Sequence, residues 1–292
     1  MSIIERVDYK YTKKENLDLE IIGLQHFFAT RPWESIKRDN RINFWVIIYI
    51  IEGQGYHCID FQKYYYKSGD VIIVQKNQVH SFQINPDVEG YIIHINEPFF
   101  FRFKSADDDS FLEYFDKPFG SPVISVDASI ESTNRTLIEL IHKEYSNYTI
   151  TSSYRLLSTL FQSFILSIKS TIPTNETIYN SRAYVNFCDF RRLVEDNYTY
   201  HKTVAEYSEM MNLSKKTINQ STRTVVGLSA KQYINNRILL EIKRYLSQGD
   251  LLNYEISDLL GFDEASNMSN FFKRYEGMSP KEFRVKRNKF NV

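Results

Sequence analysis

The stretch TVAEYSEMMNLSKKTINQSTRTVVGLSAKQY, Thr203 to Tyr233, and the later NYEISDLLGFDEASNMSNFFKRYEGMSPKEF, Asn253 to Phe283, read as two copies of one unit. Glu206-Tyr207-Ser208 and Asn212-Leu213 recur as Glu255-Ile256-Ser257 and Gly261-Phe262, offset by 49 residues. Ile218, Arg223, Gly227, Ser229, Lys231 and Tyr233 recur as Met268, Lys273, Gly277, Ser279, Lys281 and Phe283, offset by 50. One extra residue in the second turn explains the step. Each copy predicts a short helix, a tight turn and a second helix. Gly261 supplies positive φ after a helix end, Phe262 plugs the angle between helices, and Asp263 is expected to cap the second helix. In the first copy Asn212, tolerant of the same conformation, replaces the glycine, and Ser214 is the expected N-cap. This is the layout of a helix-turn-helix, whose second helix lies in a DNA major groove, so two copies predict two reading heads.

Between the heads, Tyr233, Ile234, Ile238, Ile242, Tyr245 and Leu246 recur at helical spacing, bracketed by Ser229 as a cap and Gly249 as a stop. A helix over 230–246 is about 25 Å long, a length suited to setting two recognition helices about one duplex turn, about 34 Å, apart.

Gly261-Phe262, Ser266, Phe272-Lys273-Arg274, Gly277, Ser279-Pro280 and Phe283-Arg284, with the aligned preceding copy, resemble the signature of the AraC/XylS transcriptional regulators over the C-terminal third of the chain. Met268 stands where that family usually has Phe, Asn270 where Arg is frequent, Thr222 for another Phe, and Ser208 and Ser257 for Ala. These departures bear on base preference more than on fold.

The chain has 292 residues, enough for two domains, and its 42% hydrophobic and 25% charged content is globular. Phe44 to Ile51 is too short to span a bilayer and Met1 to Glu20 alternates charges, so the expected location is cytoplasmic, away from membranes. Cys58 and Cys188 form neither a disulfide framework nor a CxxC metal motif. The neutral total hides an asymmetry: residues 190–292 hold 17 Lys and Arg against 12 Asp and Glu, a net of +5, which the preceding residues balance. A basic C-terminal region fits phosphate contact.

The N-terminal half is rich in short strands. Phe44 to Ile51, Tyr56 to Phe61, Tyr64 to Lys67, Val71 to Val74, His80 to Ile84 and Gly90 to Ile95 are separated by turn residues, as in an antiparallel barrel or jelly roll. Met1 to Lys14 reads as an arm. Phe44, Gly53-x-Gly55-x-His57, Gly69-Asp70-Val71, Val79-His80-Ser81-Phe82 and Gly90-Tyr91 resemble the cupin-like effector domains attached to many AraC-type regulators. A metal-dependent cupin enzyme is the alternative, but Ile59 occupies the second histidine position and no Glu follows at the usual spacing. His94 is a further imidazole, and no metal, cofactor or catalytic residue is expected. Phe44, Trp45, Tyr56, His57 and His80 are the candidate effector-binding residues. Phe99, Phe100, Phe101 and Phe103 around Arg102 read as core packing, and Asp107-Asp108-Asp109 as a solvated loop without the pattern of a calcium site.

Two amphipathic segments follow: Ile130, Leu137, Ile141 and Tyr145, then Tyr154, Leu157, Leu160, Phe161, Phe164, Ile165 and Ile168. They must cover the barrel, each other or a second subunit, and the resemblance implies a homodimer interface. The expected architecture is α+β: a cupin-like effector and dimerisation domain over 1–169, a polar linker over 170–182, and an all-α domain of two helix-turn-helix subdomains joined by a long helix over 183–292. Its opening helix is expected to pack Phe187, Phe190, Leu193 and Val194 under the first head.

In the first head Val204, Tyr207, Leu213 and Ile218 form the core set, leaving Lys215, Lys216, Thr217, Asn219, Gln220 and Arg223 outside. In the second, Phe262, Met268, Phe271 and Phe272 are the core candidates. The resemblance maps base contacts onto Lys216, Asn219 and Gln220, and onto Ser266, Asn267 and Asn270. Amides suit adenine edges, whereas Lys215, Arg223, Lys273 and Arg274 suit phosphates. The expected function is a sequence-specific regulator of promoter DNA, controlled by a small effector in the barrel and meeting RNA polymerase if it activates. A module binding a partner protein is the remaining reading.

Overall fold

The computed structural model describes residues 5–9, 17–83, 87–101, 121–149, 154–171, 181–249 and 251–290. Arg102, Phe103, the Asp107-Asp108-Asp109 run and most of the expected linker lie outside them. The chain divides into two compact units, one of residues 5–173 and one holding 174–292.

Among the described residues the first unit has ten strands: β1 Glu5–Val7, β2 Leu19–Gly23, β3 Asn40–Ile42, β4 Trp45–Glu52, β5 Gln54–Ile59, β6 Gln62–Lys67, β7 Asp70–Val74, β8 Val79–Gln83, β9 Glu89–Ile95 and β10 Val123–Ser125. Helices α1 Leu24–Thr30, α2 Trp33–Lys37, α3 Glu97–Phe101, α4 Ala128–Ser146 and α5 Tyr154–Thr171 are interspersed. The strands form two five-stranded sheets, β1-β3-β8-β5-β6 and β10-β7-β4-β9-β2, instead of one closed barrel. Glu5–Val7, expected to be part of an arm, pairs in parallel with β3.

β4 explains the layering. Its residues alternate between two cores: Trp45, Ile47 and Tyr49 pack toward α4 and α5, while Val46, Ile48 and Ile50 pack toward the other sheet. A strand buried on both faces needs no polar alternation, which is why 44–51 is a continuous apolar run. The two amphipathic helices therefore cover a sheet of their own chain: Ile138, Ile141, Phe161, Phe164 and Ile168 are all in that core.

The second unit is helical: α6 Arg182–Asn197, α7 Val204–Met211, α8 Lys215–Val226, α9 Ala230–Gln248, α10 Asn253–Leu259, α11 Ala265–Glu276 and α12 Pro280–Phe290. Phe187, Phe190, Val194, Tyr207, Ile218, Tyr233, Ile234, Ile238, Ile242, Met268 and Phe272 make one continuous core. The repeat is structural as well as sequential, because α8 and α11 each have 12 residues and each ends on a left-handed glycine, Gly227 or Gly277. Asn212 and Gly261 both take the expected positive φ, +49° and +61°.

The caps differ between copies. Ser214 accepts from the Thr217 amide, Thr203 and Glu206 form a reciprocal box on α7, and Ser229 and Gln232 do the same on α9. Asp263 does not cap α11: the extra residue of the second turn moves Glu264 into that position, and its side chain makes no capping bond.

Candidate nucleic-acid interface

α8 and α11 each bury one stripe and leave another exposed. Ile218, Ser221 and Thr222 are buried on α8, and Met268 and Phe272 on α11. Lys215, Lys216, Gln220 and Arg223 are exposed on the first helix, and Ser266, Asn267, Asn270, Lys273 and Arg274 on the second. Lys216, Gln220 and Arg223 recur at four and three residues, one helical face, and Ser266, Asn270 and Lys273 repeat that spacing. Each face thus pairs a potential base-edge reader with a cation.

Three of the expected DNA-facing residues hydrogen-bond within the fold. Asn219 donates from Nδ2 to the Lys215 carbonyl at 2.9 Å and accepts the Ala230 amide on Oδ1 at 3.0 Å. Both ends of the amide are used, so Asn219 ties α8 to the start of α9 and does not present the paired donor and acceptor that adenine requires. The second copy shows why no amide is needed there: the residue aligned with Ala230 is Pro280, which has no N–H, and the one aligned with Asn219 is Ser269. Thr217 faces the Ser214 hydroxyl at 2.8 Å, and Ser266 donates to Glu264 at 2.9 Å. Among the amide readers, Gln220, Asn267 and Asn270 are exposed.

Asn219→Ala is therefore expected to lower the stability of the helical unit by about 1–2 kcal/mol, through the amide left without its acceptor, with base preference unchanged. Gln220→Ala should do the opposite. Urea unfolding read beside DNA selection separates the two; relaxed sequence preference in Asn219→Ala at full stability would contradict this assignment.

Arg284, part of the sequence signature, is engaged within the fold. Its guanidinium donates to the Gly249 carbonyl at 3.3 Å and also to that of Leu251, closing the turn between α9 and α10. Two departures from the family pattern are likewise absorbed internally: Ser208 donates to the Leu213 carbonyl at 2.5 Å, and buried Thr222 to that of Ile218 at 2.8 Å.

In the first unit, Phe44, His57 and His80 share the space between the sheets. His57 is fully buried, with Nε2 3.2 Å from Nδ1 of His80 and its ring edge-on to Phe82 at 4.6 Å. Burial, then the neighbouring His80, hold His57 well below the usual histidine range; burial, then His94, push His80 down to about 3. Burial thus disfavours charge on both rings, and Nδ1 of His57 has no partner among the described residues. Phe44 lies 5.1 Å from the His94 ring, and His94 pairs with Glu20 at 2.8 Å.

Trp45 and Tyr56 do not join them. Trp45 is on the opposite face of β4 against the helices, and Tyr56 is half exposed on the outer face of β5 beside Tyr65. The alternation along each strand separates residues that adjacency in sequence placed together. Their place is taken by Phe27 of α1 and Phe82 of β8, whose rings meet at 5.6 Å, with Phe28 packed edge-on to Phe82. Phe82 stood in the quoted motif, but Phe27 and Phe28 lie in a stretch whose periodicity is ambiguous. Among the described residues no three His, Cys, Asp or Glu gather as a metal site, and no helix is long and apolar enough to cross a membrane.

Residues 21–141 match the model of an AraC-like ligand binding domain, and 207–286 that of a helix-turn-helix domain. The HTH-type transcriptional activator RhaS of Pectobacterium carotovorum is 24% identical over 249 residues, covering 83% of this chain and 85% of that protein. An uncharacterized HTH-type transcriptional regulator of Staphylococcus aureus is 22% identical, covering 86% of this chain and 33% of its own length. The crystal structure of ToxT from Vibrio cholerae O395 aligns at 15% identity and a TM-score of 0.45, covering 84% of this chain and 90% of that one.

Proposed function

The chain belongs to the AraC-type helix-turn-helix transcription regulators with an N-terminal ligand-binding domain, and from that premise we propose how it reads DNA and how it is controlled. Lys216 with Gln220 on α8, and Asn267 with Asn270 on α11, read base edges in two successive major-groove segments. Lys215, Arg223, Lys273 and Arg274 hold the flanking phosphates. The observation that carries this reading is the repeated exposed face, polar reader and cation at the same helical spacing in both copies.

A small effector binds between the sheets beside Phe44, His57 and His80, and its occupancy shifts how the heads engage promoter DNA. Such control requires the effector to bind one arrangement of the protein more tightly than another. The protein acts by binding, without catalysis, in the cytoplasm. Residues 1–169 form the effector domain, 170–182 the linker and 183–292 the DNA-binding domain. α4 and α5 also form the contact between two copies, and RNA polymerase is the further partner where the protein activates.

Selection of bound DNA from a random pool by the full-length protein tests the DNA part. Two enriched blocks are expected, with Gln220→Ala relaxing one and Asn270→Ala the other, each by about 1–3 kcal/mol of discrimination. Affinity should fall steeply with salt, and less steeply after Arg223→Ala, whose slope drops by about one unit. Absence of any enriched sequence at moderate salt, with a flat salt dependence, would sink the reading.

A further inference from the structure

The loop between α6 and α7 touches the turn of the second head through one side chain. Lys202 donates from Nζ to the Thr199 carbonyl at 2.7 Å, within its own loop, and to the Gly261 carbonyl at 2.6 Å, in the turn between α10 and α11. One ammonium therefore bridges a carbonyl of the loop that leads into the first head and one in the turn of the second. The same Nζ lies 5.2 Å from the centre of the Phe262 ring, which packs on Phe271 of α11 at 5.7 Å.

The backbone around this bridge is closely fitted. A Cβ on Gly261 would come within 2.2 Å of the Thr199 carbonyl oxygen. Lys202 is itself held in place: its amide donates to Glu206 at 3.1 Å, and its carbonyl accepts from Lys231 of α9 at 2.9 Å. The loop thus connects the first head, the joining helix and the second head. Burial lowers the ammonium from the ordinary lysine value, with Glu206 and Asp263 acting against it.

α9 fixes how far apart the heads are, but a helix flanked by two turns leaves rotation of each head about its ends to be set by other contacts. Asn235 donates to the Tyr275 hydroxyl at 2.5 Å and Lys243 pairs with Glu276 at 2.5 Å, so the second head is seated on α9. Lys202 adds the direct tie from the first head to the second. We propose that Lys202 is a specificity-determining positioning residue, which contacts no base and sets the spacing between the two DNA blocks that the heads accept. The inference rests on the two-headed reading above and adds to it a residue that selects operator geometry, independently of base identity.

The reason is geometric. Adding one base pair between blocks rotates the second by about a tenth of a turn, so only heads of fixed relative orientation discriminate against it. A charge-assisted double acceptor contact supplies such fixity, because a shift of either head stretches a strong hydrogen bond.

The test uses full-length protein and a pool in which the two selected blocks are separated by spacers varied one base pair at a time. Wild type is expected to accept one spacing and to weaken by about tenfold for a one-base-pair change, comparable to a mismatch. Lys202→Met keeps the apolar stem over Phe262 and removes the donors. It should reduce that penalty to about threefold or less, with the base preference within each block unchanged. Lys202→Arg, which retains a cationic donor, should keep the wild-type spacing. Should Lys202→Met prove unfolded by its thermal transition, Lys202→Leu carries the same comparison, also without a donor. Strict wild-type spacing in the folded donor-less variant overturns the inference while leaving two-headed reading intact. Failure of wild type to select paired blocks overturns both.

Discussion

Glu241→Ala is expected to unfold the helical unit or leave it marginal, at a cost of about 3–5 kcal/mol, the range for breaking a buried ion pair from one side. Glu241 is 1% exposed and lies between two arginines of its own helix, accepting from Arg237 at 3.0 Å and Arg244 at 3.1 Å. Arg237 reaches onward to Glu195 of α6 at 2.7 Å, with its guanidinium 4.0 Å over the Tyr198 ring. Although burial opposes its charge, Glu195 and Glu241 more than offset that and hold it well above the ordinary arginine value. Removing the Glu241 carboxylate leaves Arg244, 5% exposed, without this counter-charge inside the core and weakens the tie between α6 and α9. Glu241→Gln retains the shape and one acceptor, so it should cost less. Hydrogen exchange on the full chain reads the result: protection should collapse across α6 to α12 and persist in β4 and β9. Unfolding of Glu241→Ala within about 1 kcal/mol of wild type would contradict the account.

The sequence shows the helical unit more clearly than the site within it. The repeat, the left-handed residues at 212 and 261, the caps Ser214 and Ser229 and the core of α9 follow from local chemistry, and each is where local chemistry puts it. Asn219 could not be assigned that way. On a helical wheel it lies among the exposed residues, and its role depends on the Ala230 amide eleven positions away. The comparison of Asn219 and Ala230 with Ser269 and Pro280 held the clue, but a reading that treats each helix alone does not pair them. Asp263 shows a smaller version of the same limit, since an inserted residue shifts the cap by one place.

In the strand-rich unit, the period-two alternation was legible within each strand, but which face meets the helices was not. Trp45 and Val46 are both buried, in different cores, because β4 sits in the middle layer. Burial alone therefore did not separate residues that meet between the sheets from those that pack against the helices. Tyr56 illustrates the converse: it adjoins buried His57 and points outward by the strand's own geometry.

Exchanging the turn residues of the two heads should give unequal results. Asn212→Gly is expected to change stability by less than about 1 kcal/mol, since Gly is the usual residue at a left-handed helix end. Gly261→Asn should cost about 3 kcal/mol, the upper part of the overpacking range. Conformation does not account for the difference: the two φ values are +49° and +61°, and Asn tolerates that region. Space does. A Cβ at 261 meets the Thr199 carbonyl oxygen at 2.2 Å and Lys202 Nζ at 3.2 Å. Because the first obstacle is backbone, it yields only if the loop at 199 and the turn at 261 separate, and with them the two heads. Gly261→Asn should therefore also weaken binding to DNA carrying both blocks far more than binding to DNA carrying one. Urea midpoints for the two exchanges, with affinities for one-block and two-block DNA, make the measurement. Equal costs for both exchanges would mean that φ alone governs these turns, and that the heads are not fitted to each other at Gly261.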